Sequence, residues 1–144
     1  MNIKEAIVSR RSVKHFDPDH EMTEAEIQEL MSHVILSPTA FNIQHWRFIR
    51  VVDTAKRQQI KAASWEQAQV TDASLLLVLC ADLNAWEKQP ERYWRDAPQD
   101  VQNFLLPAIA DYYTNHHQAQ RDECFRSAST VSYTHLTLPT KRIV

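Results

Sequence analysis

An α+β fold is predicted for this chain of 144 residues, and three observations predict it. Apolar residues recur at helical period through Ile27, Leu30, Met31, Val34 and Ile35. A continuous apolar run, Leu75-Leu76-Leu77-Val78-Leu79-Cys80-Ala81, has the length and composition of a strand. Residues 84–129 then read as helical almost throughout. Helices and short strands in the order α-α-β-α-β-α make a layered fold with a helical side.

Each element has its own local warrant. Asn2 with Glu5 three residues on is a capping box that opens a short helix ending near Ser9. Residues 10–20 are polar and turn-rich, with Asp17-Pro18-Asp19 as a breaker. Thr23 with Glu26 is a second capping box, and it starts the amphipathic helix. Pro38 ends that helix and begins a polar loop. Residues 46–52 read as a strand whose apolar groups are Phe48, Ile49, Val51 and Val52. Residues 54–63 read as a helix with Lys56, Arg57 and Lys61 outward. The apolar run lies within residues 72–82, which suits a central strand covered on both faces. Pro90, Pro98 and Pro107 punctuate the helical part, and the chain shows no repeat, low-complexity tract or linker.

Composition narrows the class without choosing a function. A net charge of -2 and a pI near 6.4 give no basic face for nucleic acid. No apolar run reaches the eighteen or so residues of a membrane span, and the N-terminus lacks a signal peptide's apolar core. A cytoplasmic protein is expected. Cys80 and Cys124 have no metal-like spacing, and Cys80 in its apolar run is expected to be a buried, reduced thiol.

Glycine is absent, where average usage near 7% predicts about ten. Either other residues take every left-handed position, or the chain is a biased stretch of a longer one; the second is simpler. The tail supports that expectation. Residues 131–140, Val-Ser-Tyr-Thr-His-Leu-Thr-Leu-Pro-Thr, read as the translation of a transposase adapter used in sequencing libraries. Residues 130–144 are therefore expected to be non-native, with a terminal β-strand as the alternative.

Two segments carry the chemistry. Arg10-Arg11-Ser12-Val13-Lys14 offers three cations and a hydroxyl, an environment that suits a phosphate; standing alone, such a cluster is more often a solvated face. Ser37-Pro38-Thr39-Ala40-Phe41-Asn42-Ile43-Gln44-His45-Trp46 is a loop with two side-chain amides. Asn42 and Gln44 each have a donor and an acceptor, able to meet the edge of a flat heterocycle or to cap the loop's own backbone. Trp46 reads as a core residue and His45 as a surface one. His33 reads as structural, and His116-His117 as a surface pair without metal-binding partners. The stretch between Trp86 and Trp94 suits either a pocket lid or packing. Without glycine there is neither a phosphate loop nor a G-x-S-x-G turn.

In order and at this separation, the two segments resemble the FMN-dependent nitroreductase family. The matching residues are Arg10, Arg11, Ser12, Lys14, Phe16 and Asp17, then Ser37, Pro38, Thr39, Asn42, Gln44 and Trp46, and the resemblance covers residues 2–129. It implies a three-layer α+β fold that dimerises with FMN at the subunit interface. By the same resemblance Arg10, Ser12 and Lys14 engage the FMN phosphate or ring edge, with Arg11 alongside. Pro38, Thr39, Ala40 and Asn42 contact the flavin from the partner chain, and Phe41 borders the substrate pocket. Gln67 and Gln69 fall where the family has further polar flavin contacts, although Glu66 stands where many members have Asn.

The activity implied is ping-pong transfer of two electrons from NAD(P)H, through FMN, to nitroaromatics, quinones or similar acceptors, with no side chain as catalytic acid or nucleophile. Residues 1–129 would be the N-terminal part of such a domain, since the later glycine-bearing loop and the C-terminal basic residues have no counterpart here. Two further readings stay open: a non-catalytic protein that stores or senses FMN, and an interaction domain whose basic cluster faces solvent.

Overall fold

The computed structural model describes residues 2–137. Residues 138–144, the end of the expected non-native tail, lie outside the described residues. The elements run α1 (Ile3–Ser9), α2 (Glu24–Val34), β1 (Trp46–Arg50), α3 (Thr54–Ala63), α4 (Gln69–Asp72), β2 (Leu77–Ala81), α5 (Gln99–Tyr113) and α6 (His117–Thr137), with single 3-10 turns at Ala40–Asn42, Ala85–Glu87 and Pro90–Tyr93.

Local chemistry starts the helices where it was expected to. The Asn2 side chain accepts from the Glu5 N–H at 2.9 Å, and the Glu5 carboxylate accepts from the Asn2 N–H at 2.9 Å. Thr23 and Glu26 make the same reciprocal exchange at 2.8 and 3.2 Å. Asp53 caps α3 by accepting from the Lys56 N–H at 2.8 Å. Each bond satisfies one of the orphan donors of a first turn.

β1 and β2 pair as a two-stranded sheet among the described residues. The Val51 N–H donates to the Leu76 carbonyl at 2.9 Å, and the Asp82 N–H to the His45 carbonyl at 2.7 Å. Those two pairs run in opposite senses along the chain, so the strands are antiparallel. The apolar run is thus not a strand covered on both faces. Its first residues follow the α4 turn, only Leu77–Ala81 is strand, and none of the five is buried. Cys80 is half-exposed, whereas Cys124 is buried. Pro107 does not interrupt α5, which runs through it; the lost N–H removes one bond in a helix otherwise intact.

The chain divides into two compact units. Of the described residues, one comprises 2–34, 48–78 and 134–137, and buries Ile27, Val34, Val51 and Val70. The other comprises residues 35–47 and 79–133, and its core is Ile43, Ala85, Ile109 and Tyr113, with Phe41, Trp86, Trp94 and Leu106 packed against it.

Left-handed positions are filled without glycine. Phe41, Asn42, Gln44, Trp65, Glu66, Gln89 and Asn115 all have φ between 50 and 62°. Each non-glycine residue held so costs roughly 1–3 kcal/mol, and such residues gather where surrounding structure over-determines them. Five of the seven lie in residues 41–44 and 65–66, in or beside the segments for which the resemblance implies flavin contacts.

Candidate functional site

α1 ends at Ser9, and Arg10 turns the chain into extended backbone with φ -56 and ψ 133°. Arg11 folds back, its Nη1 donating to the carbonyls of Val8 at 2.9 Å and Arg10 at 2.8 Å. A cation on the last carbonyls of a helix satisfies orphan acceptors and complements the dipole. Arg11 is therefore committed to closing α1. The side chains of Arg10, Ser12 and Lys14 are exposed and make no hydrogen bond or ion pair among the described residues. Two cations and a hydroxyl within five residues are free to meet an anion, which fits a phosphate group.

The amide loop lies in the other unit. Ala40–Asn42 is a 3-10 turn entered from extended Thr39, and Phe41 within it has φ 50 and ψ 22°. The Thr39 carbonyl accepts from the Asn42 N–H at 3.1 Å, and its hydroxyl accepts from the Gln44 N–H at 3.1 Å. Thr39 thus staples the loop. The Gln44 side-chain amide donates to Asn42 Oδ1 at 3.1 Å, which leaves the Asn42 NH2 and the Gln44 Oε1 as a donor and an acceptor side by side. A heterocycle edge with alternating acceptor and donor fits that pair. From outside the loop, Trp94 Nε1 donates to the Phe41 carbonyl at 3.1 Å. The aromatic stretch around Trp94 is packing, with Trp86 and Trp94 half-buried on the core.

His45 is not on the surface. It is fully buried, its ring lies 6.2 Å from that of Tyr113, and among the described residues neither its ring nitrogens nor the Tyr113 hydroxyl have a hydrogen-bond partner. Burial lowers the His45 pKa, against the opposing pull of Glu123 and Asp82. Burial likewise raises that of Tyr113, which Trp86 stacks at 5.6 Å. The neighbouring loop segment 43–46 turns inward because Ile43 and Trp46 anchor it, and His45 is carried in with them. No residue pattern announced this.

Phe41 also meets Tyr112 edge-on at 5.4 Å. The two rings, with Ala108, Asp111, Asn115 and His116, line an open cleft of about 950 Å³. Pro38 is exposed, and Ala40 is half-buried. His33 and His116 are exposed, each with Nδ1 against the carbonyl four residues earlier. No group of three His, Cys, Asp or Glu able to hold a metal occurs among the described residues.

Gln67 and Gln69 sit in the same unit as the basic segment. The Gln69 side-chain amide donates to Gln67 Oε1, so these two are brought together, but no hydrogen bond joins them to Arg10, Ser12 or Lys14 among the described residues. Before them Trp65 and Glu66 are both left-handed, and Trp65 is 90% exposed.

The sequence profile of the Nitroreductase family matches residues 7–133. DrgA of Synechocystis is 53% identical over 88% of this chain and 60% of its own length. An oxygen-insensitive NADPH nitroreductase of Helicobacter pylori is 29% identical over 74% of the chain and 52% of its own. A nitroreductase-type structure from Exiguobacterium sibiricum, solved in complex with FMN, superposes with a TM-score of 0.85 at 25% identity, covering 95% of this chain and 69% of that one. The chain thus spans about 60% of the length of the first of these relatives. Among the described residues no helix is long and apolar enough to cross a membrane.

Proposed function

Because this chain belongs to the nitroreductase family, we propose that the protein is an FMN-dependent NAD(P)H oxidoreductase whose acceptors are nitroaromatics, quinones or similar electron-poor molecules. One observation carries the reading: the cations and amides that such a site needs are those left unspent. Among the described residues the Arg10 and Lys14 side chains have no hydrogen-bond partner, while Arg11 engages its Nη1 in the helix end; Asn42 and Gln44 pair so as to leave one donor and one acceptor.

FMN bound there would supply two-electron hydride chemistry between NAD(P)H and an electron-poor acceptor, the two occupying the same place in alternation. The chain's own residues bind and orient. Arg10, Ser12 and Lys14 hold phosphate or ring edge, and a cation such as Lys14 beside the ring favours its reduced, anionic form. Pro38, Thr39, Ala40 and Asn42 present the stapled loop to the flavin of a partner subunit in a homodimer. Gln67 and Gln69 add amide contacts, and Phe41 borders the acceptor pocket from the rim of its cleft. Such a protein works where NAD(P)H is supplied, in the cytoplasm.

In this reading residues 1–129 are the N-terminal part of the family's domain and residues 130–144 are non-native. The described part of that tail is helical, as the end of α6, rather than a strand. Sequencing the source clone from primers outside the adapter checks it, and a native gene running on through the same codons refutes it.

The function is tested on the protein expressed at the length of its relatives. It is expected to purify yellow, to bleach anaerobically with NADH or NADPH, and to recover colour on addition of a nitroaromatic. A colourless protein that takes up no FMN refutes the reading. Bound flavin that never bleaches identifies a storage or sensing protein instead.

A further inference from the structure

Arg57 was expected to point outward from α3, yet it is half-buried and engages three backbone carbonyls. Its Nε donates to Val51 at 2.9 Å, Nη1 to Ala73, and Nη2 to Ser74 at 3.1 Å. No carboxylate holds it among the described residues. Val51 follows β1, whereas Ala73 caps α4 and Ser74 leads toward β2. The planar guanidinium presents five donors in a fixed fork, so it can span three acceptors that a single ammonium cannot.

Lys61 stands one turn further along the same helical face, and its carbonyl accepts from Ser64 at 2.9 Å and from Glu66 at 3.1 Å. α3 therefore grips residues 64–74 at both ends, through the Lys61 carbonyl at the entry and the Arg57 guanidinium at the exit. Between those grips lie the two consecutive left-handed residues, Trp65 and Glu66, followed by the Gln67 and Gln69 amides. α4 is a single turn from Gln69 to Asp72, and the Ala73 N–H closes it on the Gln69 carbonyl at 3.2 Å. Whatever fixes Ala73 fixes the direction of Gln69.

We infer that Arg57 is a positioning residue for flavin binding: it aims the Gln67 and Gln69 amides by anchoring the exit of α4. The inference rests on the proposed FMN site and adds to it a residue that touches no flavin.

A double-mutant cycle on the FMN-loaded protein tests it, reading the FMN dissociation constant and the visible spectrum of the bound flavin. Arg57→Gln is expected to weaken FMN roughly tenfold, with strong coupling to a Gln67→Ala/Gln69→Ala variant and simple additivity with Lys14→Ala. The spectral change of Arg57→Gln should match that of the amide variant, an outcome a purely structural loss does not produce. Arg57→Lys, which keeps charge and stem but not the fork, is expected to rescue little; it carries the cycle if the Gln variant does not fold. Unchanged affinity and spectrum in either variant, or additivity with the amide variant, overturns the inference. Wild-type protein that takes up no FMN overturns the reading beneath it, and that failure is visible before any variant is made.

Discussion

Arg10 and Arg11 are adjacent and chemically identical, but the fold gives them different work. Arg11 is tied through its Nη1 to the Val8 and Arg10 carbonyls, whereas the Arg10 and Lys14 side chains make no hydrogen bond among the described residues. Replacing Arg10 and Lys14 together by Ala is expected to weaken FMN by about 1.5–3 kcal/mol for each charged hydrogen bond lost. Arg11→Ala should instead loosen α1 and leave FMN affinity nearly intact. Isothermal titration of both variants separates these outcomes, and a larger binding loss for Arg11→Ala would reverse the assignment. His45 makes a second residue-scale case. Burial lowers its folded pKa, so the folded chain resists the proton that the unfolded chain accepts near pH 6.5. Stability is then full above about 6.5 and falls as pH drops from there toward the lower folded value. His45→Leu should flatten that decline in urea melts at pH 8, 7, 6 and 5. At pH 8 it should also cost little or gain up to about 1–3 kcal/mol, because two unsatisfied ring nitrogens leave the interior. A wild-type curve already flat over that range would contradict the argument.

Among the elements, the loop at residues 39–44 depends on a bond from far along the chain. Trp94, in the segment after the Pro90–Tyr93 turn, donates its indole N–H to the Phe41 carbonyl and so restrains a left-handed residue. Trp94→Phe keeps most of the packing and removes that bond. It should cost about 0.5–1.5 kcal/mol of stability and weaken FMN through a looser Asn42. Equal FMN affinity in the two proteins would show that the loop holds itself. This dependence also explains what could be read in advance. The caps at Asn2 and Thr23, and hence the starts of α1 and α2, are legible because donor and acceptor lie three residues apart. The two segments of the candidate site are legible for a related reason, since each keeps its chemistry within ten residues. What escaped is set at a distance. α4 had no counterpart in the sequence reading, and it forms where Arg57 and the α3 terminus hold residues 64–74. His45 is inside because Ile43 and Trp46 pull it in, and β2 is half-exposed because its apolar residues face only one neighbouring strand. Glycine's absence turned out to be compatible with the turns, as seven other residues adopt the left-handed region.

At the scale of the molecule, the distribution of apolar surface decides what state the chain takes in solution. Ile7, Val8, Val52 and Trp65 are exposed in one unit, and Leu36 and Phe104 in the other, Leu36 at 75%. Covering a side chain of this size is worth about 1.5–3 kcal/mol. Six of them therefore represent on the order of 10 kcal/mol, comparable with the entire net stability of a typical domain. Single exposed apolar residues are ordinary, but this many large ones fit the proposed reading, in which further polypeptide covers them. A homodimer with its flavin at the interface supplies such cover, and so does the remaining length that the relatives possess. The 144-residue chain alone is thus expected to bind the dye ANS strongly and to sediment as concentration-dependent aggregates. The protein at the length of its relatives should be a dye-silent dimer. On the proposed reading, in which FMN binds only the assembled form, adding FMN should raise the melting temperature of that dimer. A 144-residue chain that stays monomeric and dye-silent would show that these residues need no cover, and would remove the physical ground for placing the cofactor between subunits.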